Sequence, residues 1–343
     1  TCRRQRQMCI RDSRRTDIND TRQDISNEDL IPEETRVLTI SRTGYAKTQP
    51  LEEYREQRRG GQGKAAASVK EEDVIQNLYV LSSHSQMLCF TTKGKVYWLK
   101  VYEVPVASRT SKGRPLVNML NLDDDEKVSD ILPVDEFSED RYVFMATRKG
   151  TTKKTQLSFF AKKYKSGIKA INLDADDELI GSAITNGEDE ILLASSAGKL
   201  IRFSEKKVRP MGRTARGVRG MRIKKDQQII SLMVADNEKE ILCVSENGFG
   251  KKTPVDDFPT HNRGGQGVIS IKTSERNGLM VASTLVDNND GIMLISDKGT
   301  MIRTSAEQIP TISRNTQGVK IITPKEGEKI LECVRIDPED EEE

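Results

Sequence analysis

The 343 residues carry 55 Lys and Arg against 53 Asp and Glu, a formal net charge of +2, with 35% hydrophobic and only 5% aromatic residues. This balance excludes a polycation, so any nucleic-acid surface must come from segregation of charge within the fold. No apolar run nears the roughly 18 residues of a membrane span and no secretory signal is present, which predicts a cytoplasmic chain without membrane contact. The cysteines at 2, 9, 89, 243 and 333 form no CxxC pair and have no His nearby. That pattern argues against a metal site or a disulfide frame.

Along the chain, residues 1–13 (TCRRQRQMCIRDS) are basic, lack periodicity and are expected to be a cloning or sequence-assembly scar. Residues 14–34, rich in Asp, Asn, Glu and Arg, read as a linker. A repeat then begins, with approximate units 37–86, 87–140, 141–190, 191–240, 241–290 and 291–340 inside a domain assigned to 35–336. Each unit opens with an apolar, β-branched run (VLTIS, MLCFTT, YVFMAT, ILLASS, ILCVSE, GIMLIS) that suits a buried strand. A hairpin follows at Gly44, Gly94, Gly150, Gly198, Gly248 or Gly299.

A second glycine comes 19 residues later in five units and 17 in the third: Gly63, Gly113, Gly167, Gly217, Gly267 and Gly318. Beyond it lie a short strand, a polar and often acidic turn, and a last strand such as QIISLMV. A repeat of this length signals a solenoid or a propeller, and four short strands per unit without helical periodicity signal blades. The predicted fold is therefore all-β, a six-bladed β-pinwheel or propeller with four-stranded blades of about 50 residues. The acidic run 337–343 reads as a solvated tail.

The chemistry lies before the second glycine. Four residues upstream of it stand Arg59, Arg109, Lys163, Arg213, Arg263 and Arg314, basic in all six units. A second basic row follows the first glycine, at Lys47, Lys153 and Lys154, Arg202, Lys251 and Lys252, and Arg303; unit two has Tyr97 and Trp98 there. Both rows are expected on the perimeter, at the opposite end of each blade from the acidic turns. In unit one the loop reads Gln57-Arg58-Arg59-Gly60-Gly61-Gln62-Gly63, followed by Lys64. Its glycines let the backbone approach an anion while the arginines neutralise phosphate.

Catalysis is poorly supported. His84 and His261 are the only histidines and have no nucleophile partner; neither GxxxxGK[ST] nor a strand-to-helix GxGxxG occurs. The Asp123–Asp125 and Asp174–Asp177 clusters recur at blade turns and read as turns, not as metal sites.

The heptapeptide 57–63 resembles the gyrase A box, and VLTISRTGYAKTQPLEEYREQRRGGQGK, GRPLVNML, ARGVRGMRI, GVISIKTSERNGL and RNTQGV resemble the C-terminal domain of bacterial DNA gyrase A proteins, a type IIA topoisomerase family. The resemblance implies a pinwheel whose blades exchange strands and whose perimeter wraps double-stranded DNA with positive handedness. Such wrapping sets the direction of strand passage for negative supercoiling. It also implies partners: the catalytic core of the same polypeptide and the gyrase B protein in an A2B2 holoenzyme, in the bacterial nucleoid. The isolated domain is expected to be a monomer without cofactor or catalytic activity of its own, since Mg, ATP, the catalytic tyrosine domain and the ATPase chain are parts of the rest of the enzyme.

Two positions depart from the family's pattern. Gln62 stands where the box usually carries Lys or Arg, and unit five keeps the second half of the box as Arg263-Gly264-Gly265-Gln266-Gly267. Two other readings stay open: the equivalent domain of topoisomerase IV, which senses DNA geometry, and a propeller scaffold that binds proteins.

Overall fold

A computed structural model describes residues 30–41, 43–50, 75–108, 111–123, 125–298, 301–324 and 327–336, the side chains of 75–78 and 301 excepted. The described strands form six antiparallel sheets, five of four strands and one of three. In the first, Thr35–Ser41 is central, paired with Tyr45–Pro50 across the hairpin and with Ile75–Ser82 on its other side. Leu38 faces both Thr48 and Tyr79, which fixes the register. The fourth strand, Arg114–Pro115, belongs to the next repeat and pairs with Tyr45 and Ala46. Blades two to five are completed in the same way, by Ile168–Lys169, Val218–Arg219, Val268–Ile269 and Val319–Lys320. Repeats two to six thus each donate a short outer strand to the repeat before them.

The alternation of strand side chains explains the core. In Gln86–Thr91, Met87 and Cys89 pack towards the first blade while Leu88 and Phe90 pack towards the third. A strand buried on both faces must be apolar at every position, which is why these runs show no polar alternation. Five apolar clusters fill the spaces between successive blades. Cys89 and Cys243 sit fully buried within two of them, and burial pushes the Cys89 thiol up to about 12 and raises that of Cys243.

At the other edge of each sheet the last strand of the repeat carries one extra residue just before the hairpin end, as where Ala194 pairs Ser231 but Ser195 pairs Ile229. The same bulge recurs in all six sheets. It increases local twist and re-aims the strand. Neighbouring last strands bond to one another: Asp130 Oδ2 accepts from the Ser182 amide at 2.7 Å and its hydroxyl at 3.0 Å, and the Ser231 hydroxyl donates to Ser283 O at 2.6 Å. The long last strand therefore forms one edge of the sheet and the donated short strand the other.

Candidate nucleic-acid interface

In units two, four, five and six the chain before the second glycine is anchored at two points on the second strand of the preceding blade. Thr48 makes a parallel bridge to Val106, and two residues earlier Ala46 pairs antiparallel with Arg114. Between these anchors lies Lys47, whose Nζ donates to Ser108 O and Ser111 O of the arch of chain so anchored. The same arch recurs with Lys154 bridged to Pro210 and Thr152 paired with Val218, with Arg202 bridged to Thr260 and Leu200 paired with Val268, and with Lys252 bridged to Thr311 and Gly250 paired with Val319.

The second glycine closes the arch. Gly217 has φ +99°, and a Cβ there would stand 2.4 Å from the Thr152 carbonyl oxygen; at Gly113, φ is +81° and the Ala46 oxygen would lie at the same distance. Only glycine meets both demands. The fixed spacing of the paired glycines is thus the length of chain needed to cross over and return.

The first basic row lies on these arches. Lys163 is exposed, and Arg213, Arg263 and Arg314 are half-buried. The unit-five arch shows how the shared RGGQG sequence is held: Arg263 donates from Nε to Lys207 O at 2.8 Å and from Nη1 to Arg219 O at 3.1 Å. The Gly265 oxygen accepts from the Arg222 amide at 2.8 Å. Successive arches are therefore laced together through their backbones. Residues 57–64, the box with its Lys64, and Arg109 lie outside the described residues.

The second basic row corrects the sequence-based expectation of open perimeter charges. Lys47, Lys153, Lys154, Arg202, Lys251 and Lys252 are all buried; Arg303 alone of that row is exposed. Their heads are committed to protein groups. Lys154 meets buried Glu205 at 3.3 Å, Lys252 meets Glu240 at 2.9 Å, and Arg202 binds Glu190, Asn237 and the carbonyls of Val255 and Phe258. The physical reason is strand exchange: the donated arch covers the strand on which this row sits, and a buried charge must find partners.

A row that the repeat alignment could have revealed lies two residues beyond the second glycine. Lys169, Arg219 and Lys320 are exposed on the donated outer strand. The unit-four arch extends this surface, with Arg213, Arg216, Arg219, Arg222, Lys224 and Lys225 and no acidic residue between 211 and 225. Signs are not segregated to opposite blade ends. The acidic turns pair with the hairpin lysines, Asp123 with Lys95 at 2.9 Å and Asp125 with Lys93, and Asp174 reaches Arg216 of the next arch at 2.8 Å. These pairings hold the Asp123 and Asp125 carboxyls below their usual range. Exposed basic residues stand on the donated strands of units two, three, four and six, at Arg114, Lys169, Arg219 and Lys320.

His261 is exposed on the unit-five arch and donates its backbone amide to Arg202 O at 2.8 Å, and the half-buried His84 ring meets Tyr102 edge-on. No described helix is long and apolar enough to cross a membrane.

Comparison with known proteins places this geometry. A family model described as the DNA gyrase C-terminal domain, a β-propeller, matches six segments: 35–82, 85–135, 141–186, 189–236, 239–286 and 292–337. The DNA gyrase A protein of Salmonella typhimurium is 50% identical over 333 residues, covering 97% of this chain and 38% of that protein. Its Escherichia coli counterpart is 49% identical over 332 residues, 96% and 38% respectively. The chain thus spans a little over a third of the length of these relatives. Among solved structures, the C-terminal domain of DNA topoisomerase IV aligns with a TM-score of 0.78 at 23% identity over 91% of this chain and 96% of the other. A DNA gyrase A C-terminal domain aligns with a TM-score of 0.69, also at 23%, over 89% and 100%. At that identity the structural likeness shows the six-bladed fold.

Proposed function

From the premise that the chain belongs to the DNA gyrase C-terminal β-propeller family, we propose that it binds duplex DNA along the donated outer strands and bends it around the blades as the wrapping domain of a gyrase A protein. The observation that carries this reading is that the short strands donated to blades one, two, three and five each carry an exposed basic residue, Arg114, Lys169, Arg219 and Lys320, beside an arch that bears further Lys or Arg. Such a surface neutralises phosphates without reading bases.

Bending 20–30 bp by up to 90° costs on the order of 1–6 kcal/mol, so contacts must be spread along the bend to offset it. Blades repeating one contact supply that distribution; a single patch does not. Residues 57–64 are proposed as the strongest contact, with Arg109, Lys163, Arg213, Arg303 and Arg314 continuing the track, while Lys47, Lys153, Arg202 and Lys251 act from beneath it and Arg263 holds its own arch. In the full enzyme the domain would deliver a wrapped segment to the catalytic core and, with the gyrase B protein, set the sign of supercoiling. The 50% identity to a gyrase A protein favours this over the topoisomerase IV reading.

Binding to a long duplex at several salt concentrations tests the proposal. With about one phosphate contact per blade, log K should fall against log salt with a slope near −5, from ~0.9 per contact. A slope near −1, or equal affinity for a 15 bp and a 120 bp duplex, would exclude a distributed track.

A further inference from the structure

The residue directly beneath each arch follows an alternation. Under the arches of blades two, four and six stand Lys47, Lys153 and Lys251; under those of blades three and five stand Tyr97 and Ile201. The three lysines reach up to the arch backbone. Lys47 Nζ donates to Ser108 O at 3.3 Å and to Ser111 O at 3.1 Å. Lys153 Nζ donates to Ala170 O at 2.6 Å and to Arg213 O, and Lys251 Nζ donates to Ser313 O at 2.7 Å. The acceptors in the three arches are thus the position of the basic residue (Arg213), the one just before it (Ser108, Ser313), or one two residues after it (Ser111).

A trans peptide sets its C=O and N–H in opposite directions. Drawing the carbonyls of Ser111, Arg213 and Ser313 inward therefore aims the amides of Lys112, Thr214 and Arg314 outward. Each pinned arch thus turns one backbone donor away from the protein, where an anion can accept from it. Arches three and five lack such a lysine. The ring of Tyr97 would lie 2.7 Å from a Cβ on Gly167, and Ile201 lies under Gly265, leaving Arg263 to hold its own arch from outside.

Resting on the DNA-binding reading above, we propose that Lys47, Lys153 and Lys251 are positioning residues. Each buried amine pins the next blade's arch in the conformation that presents a backbone N–H and a basic side chain to a phosphate. The contact surface would then alternate arches pinned by a buried amine with arches that stand over Tyr97 or Ile201, the latter held from outside by Arg263. Burial lowers Lys153 to about 7 and Lys251 to about 8, with Arg213 acting in the same direction at Lys153. An amine remains a donor with or without its extra proton, so either form can hold the carbonyl.

Lys153→Met keeps length and apolar bulk but removes the donors. In the whole 343-residue chain, amide hydrogen exchange across 211–217 should quicken at least ten-fold while the strands of blades one and six keep their rates. Affinity for a 120 bp duplex should fall about three- to ten-fold. Lys47→Met and Lys47→Arg form a second pair, read at Ser111–Gly113. The arginine variant retains donors and should keep both protection and affinity; the methionine variant should lose both.

Unchanged exchange in both methionine variants would overturn the pin. Faster exchange with unchanged DNA affinity would leave a structural lysine and overturn the positioning role. If the unsubstituted chain failed to bind duplex at all, the DNA reading itself would fall, and the positioning role with it. Failure of Lys153→Met to fold leaves the Lys47 pair to decide.

Discussion

At the residue scale, the informative positions are those where backbone geometry leaves no choice. Gly44 and Gly217 both have positive φ, +83° and +99°, but a Cβ on Gly44 would meet nothing within 4 Å, whereas on Gly217 it would strike the Thr152 oxygen. Gly44→Ala should therefore cost about 1–2 kcal/mol, the left-handed backbone alone. Gly217→Ala should cost more, by about 1–3 kcal/mol for the displaced arch. Urea midpoints at constant slope give the comparison, and equal losses would contradict the docking of the arch on blade three.

Lys153 and Lys251 give a pH prediction whose sign follows from their lowered values. In the unfolded chain they hold their protons up to about 10.5, in the fold only up to about 7 and 8. Between those limits the unfolded state binds more protons, so their contribution to stability rises with pH and is least below about 7. Relative to Lys153→Met, the parent should gain stability between pH 6.5 and 9.5. A constant difference across that range would mean the lysine is not desolvated. The basic nature of this row was legible in the sequence. Its burial was not, because burial depends on a strand donated from some 60 residues away, which no local pattern reports.

At the element scale, the six units, their hairpins and their apolar strands could be read from the glycine spacing and the β-branched runs, since both are local requirements of turn and pleat. The donated strands are only two residues long, as in Val218–Arg219, and too short to carry a periodicity. Their basic residues were missed for that reason, although the offset of two from the second glycine marks Lys169, Arg219 and Lys320 once the copies are aligned. The segregation of charge expected along each blade failed because the turns fold back: Asp174 meets Arg216 although 42 positions separate them.

A pair of substitutions separates the two uses of arginine at this scale. Arg213→Ala with Arg219→Ala should leave stability nearly unchanged and make the salt slope less negative by about 2. Arg263→Ala removes two hydrogen bonds to carbonyls and should lower stability by about 1 kcal/mol or less, with faster exchange in 261–267. The reverse pattern would show that Arg263 is the open contact and the blade-four arginines are structural.

At the scale of the whole molecule, the fold follows from one device used repeatedly: each repeat closes its predecessor, so no four-stranded blade is complete without the next repeat. On the proposed function, affinity for DNA would be a property of the series of arches. The heptapeptide 57–63 combines, in one unit, the arginines and double glycine that unit five retains only in part.

The most direct measurement is the linking number of nicked circular DNA religated with increasing amounts of this chain. The wrapping account predicts a progressive positive shift that Arg58→Ala with Arg59→Ala abolishes, while weak binding by the remaining arches persists. A parent chain that binds without changing linking number, or a double variant that shifts it as far as the parent, would contradict that account.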